Sequence, residues 1–520
     1  MPDKGAALIS VYDRTGAIEL ARALLAAGKT VYATGGTAVH LRGAGLDVRD
    51  VEELTGFPSL FDGRVKTLHP NVFGGILRDT QNPVHDAEAE RYAVPQLSTI
   101  VVNLYPFEST VARAGATLQE AIEQIDIGGV SLLRAAAKNF ERVTVLSDPE
   151  QYPAAIAALP QALDRDARRR LATRAFERTA EYDSAIARYM ESGLLANELP
   201  GSLALTIPIE QPLRYGENPQ DRAAFYLARE TQLPEQLGGK ALSYNNLLDL
   251  DATLRMLVRA PLGLAPAGAP APRLSRAAIV KHTVPCGVAE RASVAEAVRA
   301  ALDADPISAY GGIIAVDTRI DLAAAEALGE FFLEIVAAPA FDDDALARLQ
   351  RKKNLRIMRY APGVPERIAE ELRVRSALGG VLAEDDDPAA QPEVWRVASR
   401  RAPSAAEWRD LIFAWDIVRH VKSNGVAIVR DVVSRGICAG QTNRVSAVRI
   451  AGERAGAFAH GAAAASDGFF PFADGLIAAA DAGCTAVIAP SGSIRDAEVV
   501  AAADERDIAL VFSNYRYFLH

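Results

Sequence analysis

The sequence predicts an α/β protein of two domains, the first of which contains a parallel sheet flanked by helices. Over the first fifty residues, short β-type runs alternate with amphipathic helical runs in a βαβαβ order, which is typical of parallel sheets. The length of 520 residues exceeds what a single hydrophobic core organises. Prolines and turn residues cluster near positions 200–220, after which a second α/β pattern begins. We therefore place the domains at residues 1–198 and 199–520.

The elements of the first domain follow from its apolar periodicity. Five short runs rich in β-branched residues are predicted strands, and four runs with apolar residues at helical spacing are predicted helices. The strands span 6–12, 29–34, 46–51, 98–105 and 141–148, and the helices span 16–28, 37–45, 131–139 and 167–192.

The second region shows the same alternation up to the C-terminus. Its strand candidates are 276–282, 311–317, 332–339, 426–431, 485–490 and 508–513. A helix over 404–421 divides the region into two halves, and loops are expected at the Ala/Pro-rich segment 261–274 and the acidic segment 383–395. No fixed-period repeat is present, which excludes a solenoid.

Composition excludes several functional classes. The 56 Lys and Arg residues are outnumbered by 66 Asp and Glu residues, and the net charge of −10 opposes binding to nucleic acid or to an anionic membrane. No apolar run is long enough to span a membrane, and the start "MPDKGAALIS" lacks the parts of a signal peptide, so we expect a cytoplasmic protein. Cys286, Cys438 and Cys484 contain no C-x-x-C pair, so a disulfide framework is not expected.

Two motifs in the first domain suit an anionic ligand. "ATGGTAV" places Thr34, Gly35, Gly36 and Thr37 at a strand-to-helix turn, where backbone N–H groups favour a phosphate, although a glycine pair can equally just shorten such a loop. "FDGRVKTLHP" adds two cations and a hydroxyl in a predicted loop, and the alternative is a solvated basic loop. These side chains are Arg64, Lys66 and Thr67.

Two further motifs offer groups for proton transfer. "VVNLYPF" ends a buried strand with Asn103 and Tyr105, where α/β sheets present ligand-binding side chains. "QIDIGGVSLLRAAAKN" places Asp126 before a helix and Lys138 near its end, and a carboxylate and an amine in one cleft could exchange protons with a substrate. The structural alternatives are an N-terminal cap for Asp126 and a C-terminal dipole partner for Lys138.

Four of these motifs resemble, in chain order, the cyclohydrolase half of the bifunctional purine-biosynthesis enzymes that make inosine monophosphate. They are "GRVKTLHP", "NLYPF", "QIDIGG" and "RAAAKN". The resemblance implies a methylglyoxal-synthase-like, doubly wound domain. It also implies a nucleotide site lined by Tyr12, Asp13, Arg14, Thr34, Gly35, Gly36, Thr37, Arg64, Val65, Lys66, Thr67, Asn103, Leu104, Asp126 and Ile127.

The reaction implied for this half is a dehydrative ring closure. A carboxamide nitrogen attacks a formamide carbonyl and water leaves, which requires proton removal, oxyanion stabilisation and proton delivery to the departing oxygen. We expect Lys138 to transfer the proton, Asp126 to orient it, and Lys66 or Tyr105 to serve the oxyanion, without a metal.

In the second half, "IVKHTVPCGV" concentrates Lys281, His282 and Cys286. A His-x-x-x-Cys pair lacks the further ligands of a structural zinc site, and the Pro-Cys-x-x-Cys of zinc deaminases is absent. We expect Cys286 to be a small filler in a tight turn. His282 follows a strand directly, and the neighbouring Lys281 would keep its imidazole neutral as a base.

Further motifs resemble the transformylase half of the same family, in family order to the last residue: "PLRYGENP", "KHTVPCG", "HVKSNGVAIV", "AGQTNRV", "SDGFFPFADG", "PSGSIRD" and "SNYRYFLH". The resemblance covers essentially the whole chain. It implies two cytidine-deaminase-like α/β subdomains without zinc, and a homodimer with transformylase sites at the interface.

The implied reaction transfers a formyl group from the co-substrate 10-formyltetrahydrofolate to the 5-amine of aminoimidazole carboxamide ribonucleotide. His282 would accept the proton, Lys281 would stabilise the transition state, and Asn424 would orient the formyl group. Arg214, Tyr215, Phe469, Asp474, Ser493 and Arg516 would hold the nucleotide, and Arg444 and Val445 would contact the folate.

Five positions depart from the family pattern: Phe73, Phe140, Gln220, Val284 and Gly468. Val284 matters most, because it removes a hydrogen-bonding side chain two residues from the proposed base, and such a loss can cost about 10²-fold in rate. Two alternatives therefore stand beside the two-activity enzyme. One is a cyclohydrolase with a scaffold-like C-terminal half, and the other is an unrelated zinc deaminase joined to a methylglyoxal-synthase-like lyase.

Overall fold

A computed structural model describes residues 5–113, 115–161, 163–192, 199, 201–204, 206–227, 231, 233–259, 274–385 and 394–520. It contains two compact units: unit 1 comprises residues 1–208 and 227–231, and unit 2 comprises residues 209–226 and 232–520. The predicted boundary at 198/199 falls beside residues outside these ranges and stays a prediction. Residues 261–273 and 386–393 of the two predicted loops also lie outside them.

Unit 1 is built on a five-stranded parallel sheet with the strand order β3-β2-β1-β4-β5. Its strands are β1 (Ala6–Ser10), β2 (Val31–Ala33), β3 (Arg49–Asp50), β4 (Leu97–Val102) and β5 (Thr144–Leu146). Its helices are α1 (Ala17–Ala26), α2 (Gly35–Gly43), α3 (Val51–Thr55), α4 (Pro70–Leu77), α5 (Pro83–Arg91), α6 (Phe107–Val111), α7 (Leu118–Glu123), α8 (Gly128–Lys138), α9 (Tyr152–Ala158) and α10 (Arg165–Ser192). Every strand and helix predicted for this domain is present.

Helices cover both faces of this sheet because its strands are apolar on both sides. Leu8 and Ile100 face a cluster that includes Leu132 of α8 and Tyr182 of α10. Ala7, Ile9 and Val101 face the opposite cluster, which is formed with α1, α2 and α9. The doubly wound prediction is confirmed.

Unit 2 is built on a twelve-stranded mixed sheet with the order β16-β21-β20-β19-β17-β18-β10-β9-β11-β12-β13-β8. These strands are β8 (Glu235–Gly238), β9 (Ser275–Lys281), β10 (Val284–Arg291), β11 (Ile313–Val316), β12 (Ile335–Ala338), β13 (Arg356–Arg359), β16 (Trp395–Val397), β17 (Val426–Arg430), β18 (Val433–Cys438), β19 (Ala463–Ser466), β20 (Ala486–Pro490) and β21 (Ala509–Ser513). Two separate hairpins pair β6 (Ile209–Leu213) with β7 (Ala223–Tyr226) and β14 (Arg373–Ala377) with β15 (Gly380–Glu384).

The helices of unit 2 lie on both faces of the large sheet. They are α11 (Tyr244–Arg255), α12 (Val294–Ala304), α13 (Pro306–Ala309), α14 (Leu322–Leu328), α15 (Asp343–Leu349), α16 (Val364–Glu370), α17 (Ala405–Val418), α18 (Arg444–Ala455), α19 (Asp474–Ala482) and α20 (Asp496–Glu505). One apolar cluster under α11, α16 and α17 runs across both halves of the sheet. On the other face, one apolar cluster lies under α12 and α14, and a second lies under α18 and α19.

Unit 2 consists of two halves with the same element order. Each half starts with a helix (α11 or α17), followed by an antiparallel hairpin (β9–β10 or β17–β18) and a helix (α12 or α18). The next strand (β11 or β19) runs antiparallel to the first strand of the hairpin. Two further strands, β12 and β13 or β20 and β21, run parallel to it. The halves join through β10 and β18, where Ala289 pairs with Val433. The predicted division into two α/β halves is confirmed.

Candidate functional site

Three loops of unit 1 meet at the carboxyl edge of its parallel sheet. They follow β1, β2 and β4 and contain Tyr12 to Arg14, Thr34 to Thr37 and Asn103 to Tyr105. β1 lies between β2 and β4, so the chain changes direction across the sheet at this point. Crevices at such points are the usual ligand sites of open α/β sheets.

Two cations converge on the glycine turn that opens α2. The guanidinium of Arg14 lies 2.8 Å from where a Cβ would stand on Gly36, and the ammonium of Lys66 lies 3.9 Å from the same point on Gly35. Gly35 has a φ of 33°, which a residue with a Cβ rarely adopts. The turn therefore combines free backbone donors with positive charge, an arrangement that suits a phosphate.

Three predicted binding residues use their side chains to hold these loops. The hydroxyl of Thr34 donates to Ser10, and that of Thr37 donates to the carbonyl of Val11. The amide oxygen of Asn103 accepts from the N–H groups of Tyr12 and Asp13 at 2.6 and 3.0 Å, and its nitrogen donates to the Asp13 carbonyl. These hydrogen bonds hold the three loops in place and so fix the shape of the crevice.

Asp126, Tyr105 and Lys66 form the group that can move protons. The Asp126 carboxylate accepts a hydrogen bond of 2.6 Å from the N–H of Gly129. Burial raises the pKa of Asp126, although this hydrogen bond and the charge of Lys66 act in the opposite direction. Burial, and then the nearby Asp126, raise the pKa of Tyr105, so its phenol remains a donor at neutral pH.

The structure does not bring Lys138 to Asp126 within one chain. Lys138 is the last residue of α8, whereas Asp126 precedes the first turn of the same helix. The eleven residues of this helix correspond to about 16 Å at about 1.5 Å per residue. Lys138 is also exposed. The expected pairing of these two residues is therefore absent, because a helix separates its ends.

The remaining predicted residues of this unit differ in their surroundings. Arg64 is exposed and pairs with Glu123 through two contacts of 2.7 and 2.9 Å. Thr67 is buried, with its hydroxyl near Gly128 at the start of α8. Val65 and Ile127 are exposed, whereas the side chain of Leu104 packs into the core.

In unit 2, the turn between β9 and β10 presents Lys281 and His282. The Lys281 ammonium donates to the carbonyl of Tyr310 at 2.7 Å, and His282 is exposed. The expectation that Cys286 fills the tight turn is wrong. His282 and Thr283 make the turn, and Cys286 lies beyond it as the extra residue of a β-bulge in β10. Burial raises the pKa of the Cys286 thiol to about 12, which agrees with its expected inert role.

A cleft of about 330 Å³ lies beside Lys281 and His282. Val284 to Cys286 of β10 and Arg435 to Ile437 of β18 line it from opposite sides, together with Arg454 of α18. It exists because β10 and β18 pair only at Ala289 and Val433 and leave the rest of the two strands apart. Three cations line this space together with one carboxylate, Asp305, which is bound to Ser308. The balance of charge is positive, so the cleft suits an anionic substrate.

A second cluster in unit 2 joins Asn424 to Arg444. One guanidinium nitrogen of Arg444 donates to the Asn424 side-chain oxygen at 2.5 Å, and the other donates to Ser466 and Asp467. The Asn424 side-chain nitrogen donates to the Gln441 carbonyl at 2.8 Å. These bonds fix the Asn424 amide in one orientation.

The other predicted transformylase residues follow strand ends in the second half. Phe469 and Asp474 come after β19, Ser493 after β20 and Arg516 after β21. Val445 lies in the first turn of α18 and packs, partly buried, against the core. Arg214 and Tyr215 lie at the end of β6, where the guanidinium donates to the phenol oxygen at 3.0 Å.

Strand register places the Lys281–His282 turn and Asn424 at the same edge of the large sheet. Val426 at the start of β17 pairs with Cys438 at the end of β18, and β18 runs antiparallel to β10, which starts at Val284. β17 and β9 are three strands apart in the sheet order, and the separation of β10 from β18 at this edge adds to the distance between them.

The departures from the family pattern have distinct surroundings. Val284 lines the cleft, and Gln220 is exposed in a turn. A Cβ on Gly468 would lie 2.5 Å from the Arg444 guanidinium and 2.7 Å from the ring of Phe518, so glycine makes room for both side chains. Phe73 and Phe140 pack against the core of unit 1.

Four functional residues were not predicted from the sequence. Asp249 binds the backbone of the His282 turn, and Tyr182 binds the backbone of Asp126. Arg435 and Arg454 line the cleft. Sequence patterns gave no signal for these residues, because each acts through a contact with a distant segment.

Among the described residues, no group of three or more His, Cys, Asp or Glu side chains is arranged to hold a metal ion. Within the same ranges, no helix combines the length and apolarity needed to cross a bilayer.

Two family models match the chain, an MGS-like domain over residues 16–131 and the AICARFT/IMPCHase bienzyme over residues 136–454. Curated relatives named "Bifunctional purine biosynthesis protein PurH" match almost end to end. The one from Myxococcus xanthus is 45% identical over 99% of this chain and 100% of its own. Those from Desulfitobacterium hafniense and Prochlorococcus marinus are each 46% identical, with 99% of both chains covered. The crystal structure of ForH is 35% identical, with a TM-score of 0.34, and covers 36% of this chain and 98% of its own.

Proposed function

The chain belongs to the AICARFT/IMPCHase bienzyme family, which catalyses the last two steps of purine biosynthesis, and on that premise we propose which residues perform each step. Unit 2 transfers a formyl group to the 5-amine of aminoimidazole carboxamide ribonucleotide. Unit 1 then closes the ring of the formylated product to give inosine monophosphate, with loss of water.

In unit 1 the nucleotide phosphate binds at the Gly35–Gly36 turn, between Arg14 and Lys66. The position of both cations at this turn supports the assignment. The loops that follow β1 and β4, which Asn103 holds together, form the wall for the base. The residues assigned to this pocket are Tyr12, Asp13, Arg14, Thr34, Gly35, Gly36, Thr37, Arg64, Val65, Lys66, Thr67, Asn103, Leu104, Asp126 and Ile127.

Ring closure uses Asp126 as the proton carrier. A buried carboxyl with a raised pKa can take the proton of the carboxamide nitrogen and return one to the departing oxygen. Lys66 and Tyr105 donate hydrogen bonds to the oxyanion that forms when the nitrogen attacks the formyl carbon. Lys138 lies too far from Asp126 to complete this group within one chain. If Lys138 takes part, a second copy of the chain must supply it.

In unit 2 the nitrogen of the 5-amine attacks the formyl carbon while His282 accepts its proton. The bond from the formyl carbon to N10 then breaks, and His282 returns the proton to N10 as tetrahydrofolate departs. Lys281 stabilises the charge that develops on the formyl oxygen, and Asn424 orients the formyl group. The cationic cleft beside the Lys281–His282 turn is the observation that carries this assignment. The formyl donor is 10-formyltetrahydrofolate, which is a co-substrate, and neither step requires a metal.

The nucleotide in unit 2 is held by Arg214, Tyr215, Phe469, Asp474, Ser493 and Arg516, and the folate by Arg444 and Val445. The position of four of these residues after strands β19 to β21 supports the assignment, because parallel strands present ligand-binding loops at their carboxyl ends. The Arg444 guanidinium is already bound to Asn424, Ser466 and Asp467. We therefore assign it to shaping the folate site as well as to contacting the folate.

The protein is proposed to act as a cytoplasmic homodimer. The β14–β15 hairpin exposes Val374, Leu378, Val381 and Leu382, with exposed fractions of 43%, 108%, 49% and 63%. An isolated two-stranded hairpin is marginally stable in water, so its apolar side chains favour contact with a second copy. Sedimentation of the wild type and of a Leu378→Asp/Leu382→Asp variant tests this, with a shift to monomer expected.

Two single-residue variants test the two-site assignment. His282→Ala should abolish formyl transfer and spare ring closure, because the two sites lie in different units. Asp126→Asn should do the reverse, and Lys138→Ala reports whether Lys138 takes part in ring closure. Loss of both activities in either of the first two variants would contradict the assignment.

Two measurements separate the alternatives. Formyl transfer by the wild type in the presence of 10-formyltetrahydrofolate distinguishes the two-activity enzyme from a cyclohydrolase with a scaffold-like second half. Metal analysis of the purified protein should find no bound zinc, because the alternative of an unrelated zinc deaminase is inconsistent with the family to which the chain belongs.

A further inference from the structure

The β9–β10 turn holds the proposed base in a backbone conformation that most residues avoid. His282 and Thr283 have φ angles of 55° and 59°. Residues with a Cβ are disfavoured there, and β-branched threonine is disfavoured most. Two-residue hairpin turns of this kind usually contain glycine, asparagine or aspartate. The turn's own sequence therefore does not explain its geometry.

A carboxylate from the preceding helix supports this turn. Asp249 lies in α11, and each of its oxygens accepts one hydrogen bond from the turn. One bond comes from the His282 N–H at 3.1 Å and the other from the Thr283 N–H at 2.6 Å. Helix α11 is itself fixed at its start by a capping box between Ser243 and Asn246. Asp249 thus ties the turn to a fixed helix.

The second half of unit 2 contains the same arrangement without the base. Asp410 of α17 accepts hydrogen bonds from the N–H groups of Asp431 and Val432, at 3.0 and 2.8 Å. Those two residues also have positive φ angles, of 54° and 56°. The carboxylate and its turn therefore belong to the duplicated fold. Only the first copy carries a histidine.

We propose that Asp249 is a positioning residue for formyl transfer. Its carboxylate holds the left-handed turn so that the His282 imidazole faces the 5-amine of the substrate, beside Lys281. Asp249 contacts the backbone of the turn, and we assign it no contact with the reacting atoms. The proposal rests on the assignment of His282 as the base, which the same experiment tests separately.

The central variant is Asp249→Asn. Asparagine keeps one acceptor oxygen and replaces the other with a donor, so it can support only one of the two N–H groups. We expect kcat for formyl transfer to fall by about 30- to 100-fold, because a displacement of about 1 Å can cost that much. KM for both substrates should stay within about threefold, and the pH profile of kcat should keep its shape, because the base is unchanged. Ring closure on the same sample reports that the protein is intact.

A matched control and a rescue distinguish positioning from general weakening. Asp410→Asn makes the same change under the equivalent turn, and formyl transfer should stay within about threefold of wild type. Thr283→Gly, added to Asp249→Asn, places at the turn a residue that adopts positive φ freely. The double variant should recover kcat to within about fivefold of wild type.

His282→Ala is assayed in parallel. If it retains formyl transfer, both the base assignment and the positioning role are overturned. If it abolishes formyl transfer while Asp249→Asn keeps the wild-type kcat, only the positioning role is overturned. Equal losses in Asp249→Asn and Asp410→Asn also overturn it. If Asp249→Asn does not fold, the double variant decides: recovered formyl transfer supports the proposal, and a folded but inactive protein overturns it.

Discussion

Tyr182→Phe should weaken unit 1 and its ring-closure site together. Tyr182 is fully buried, and its hydroxyl accepts a hydrogen bond from the Asp126 N–H at 2.9 Å and donates one to the Gln124 carbonyl at 2.5 Å. Phenylalanine would leave both backbone groups without this partner. Each buried group without a partner costs about 1–3 kcal/mol. We expect the free energy of unfolding of unit 1 to fall by about 3 kcal/mol.

Urea unfolding followed by ring-closure activity measures this loss. With a denaturant slope of about 2–3 kcal/mol per M, a loss of about 3 kcal/mol moves the midpoint down by about 1–1.5 M. Without urea, kcat for ring closure should fall by about tenfold, because the segment that carries Asp126 loses its anchor.

Tyr360→Phe is the matched control in unit 2. Its buried hydroxyl donates a single hydrogen bond, of 2.6 Å, to the Val316 carbonyl. This variant should destabilise unit 2 by about 1–2 kcal/mol and leave ring closure unchanged. A Tyr182→Phe protein with the wild-type midpoint and ring-closure rate would refute the reasoning.

Three further predictions concern unit 2. Gly468→Ala should displace the guanidinium of Arg444 or the ring of Phe518, since its Cβ would lie within 2.7 Å of both. It should raise KM for the folate by about tenfold with ring closure unchanged, and an unchanged KM in steady-state assays would contradict this. Val284→Asn restores a hydrogen-bonding side chain to the cleft and should raise kcat for formyl transfer by about tenfold, whereas a lower or equal kcat would show that Val284 does not limit the reaction. Burial opposes ionisation of Glu407, but the hydrogen bonds it accepts outweigh burial and lower its pKa from 4.5 to about 2. The stability that ionised Glu407 contributes is therefore present above pH 4.5 and lost as the pH falls towards 2. Between pH 5 and pH 2.5, the free energy of unfolding of Glu407→Gln should fall by about 2 kcal/mol less than that of the wild type. The same dependence of the free energy of unfolding on pH in both proteins would contradict this.

The fold of unit 1 was predictable because its signals are local. The runs 6–12 and 98–105 are apolar and β-branched, and they form the central strands β1 and β4. The site residues that follow these strands were predictable for the same reason, because parallel strands present their carboxyl ends at one edge. The expected pairing of Lys138 with Asp126 is absent, because the two residues of this motif lie at opposite ends of helix α8.

The segment "LSYNNLLDLDA" shows where local interpretation stops. Its asparagines and serine are typical of a capped helix start, and Ser243 and Asn246 form the capping box of α11. The function proposed for Asp249 depends on the His282 turn, 33 residues later. No spacing rule relates a helical carboxylate to a turn at that distance.

The sequence by itself determined the α/β class, the family and the order of the motifs, because periodicity and motif identity depend on neighbouring residues. Only the tertiary structure decided how the second region is assembled: two similar halves share one sheet, joined where Ala289 pairs with Val433. It also decided that Arg435 and Arg454 face the same cleft as Lys281. Such contacts depend on strand register and on which faces pack together, and these are set by the burial of whole elements rather than by any local run of residues.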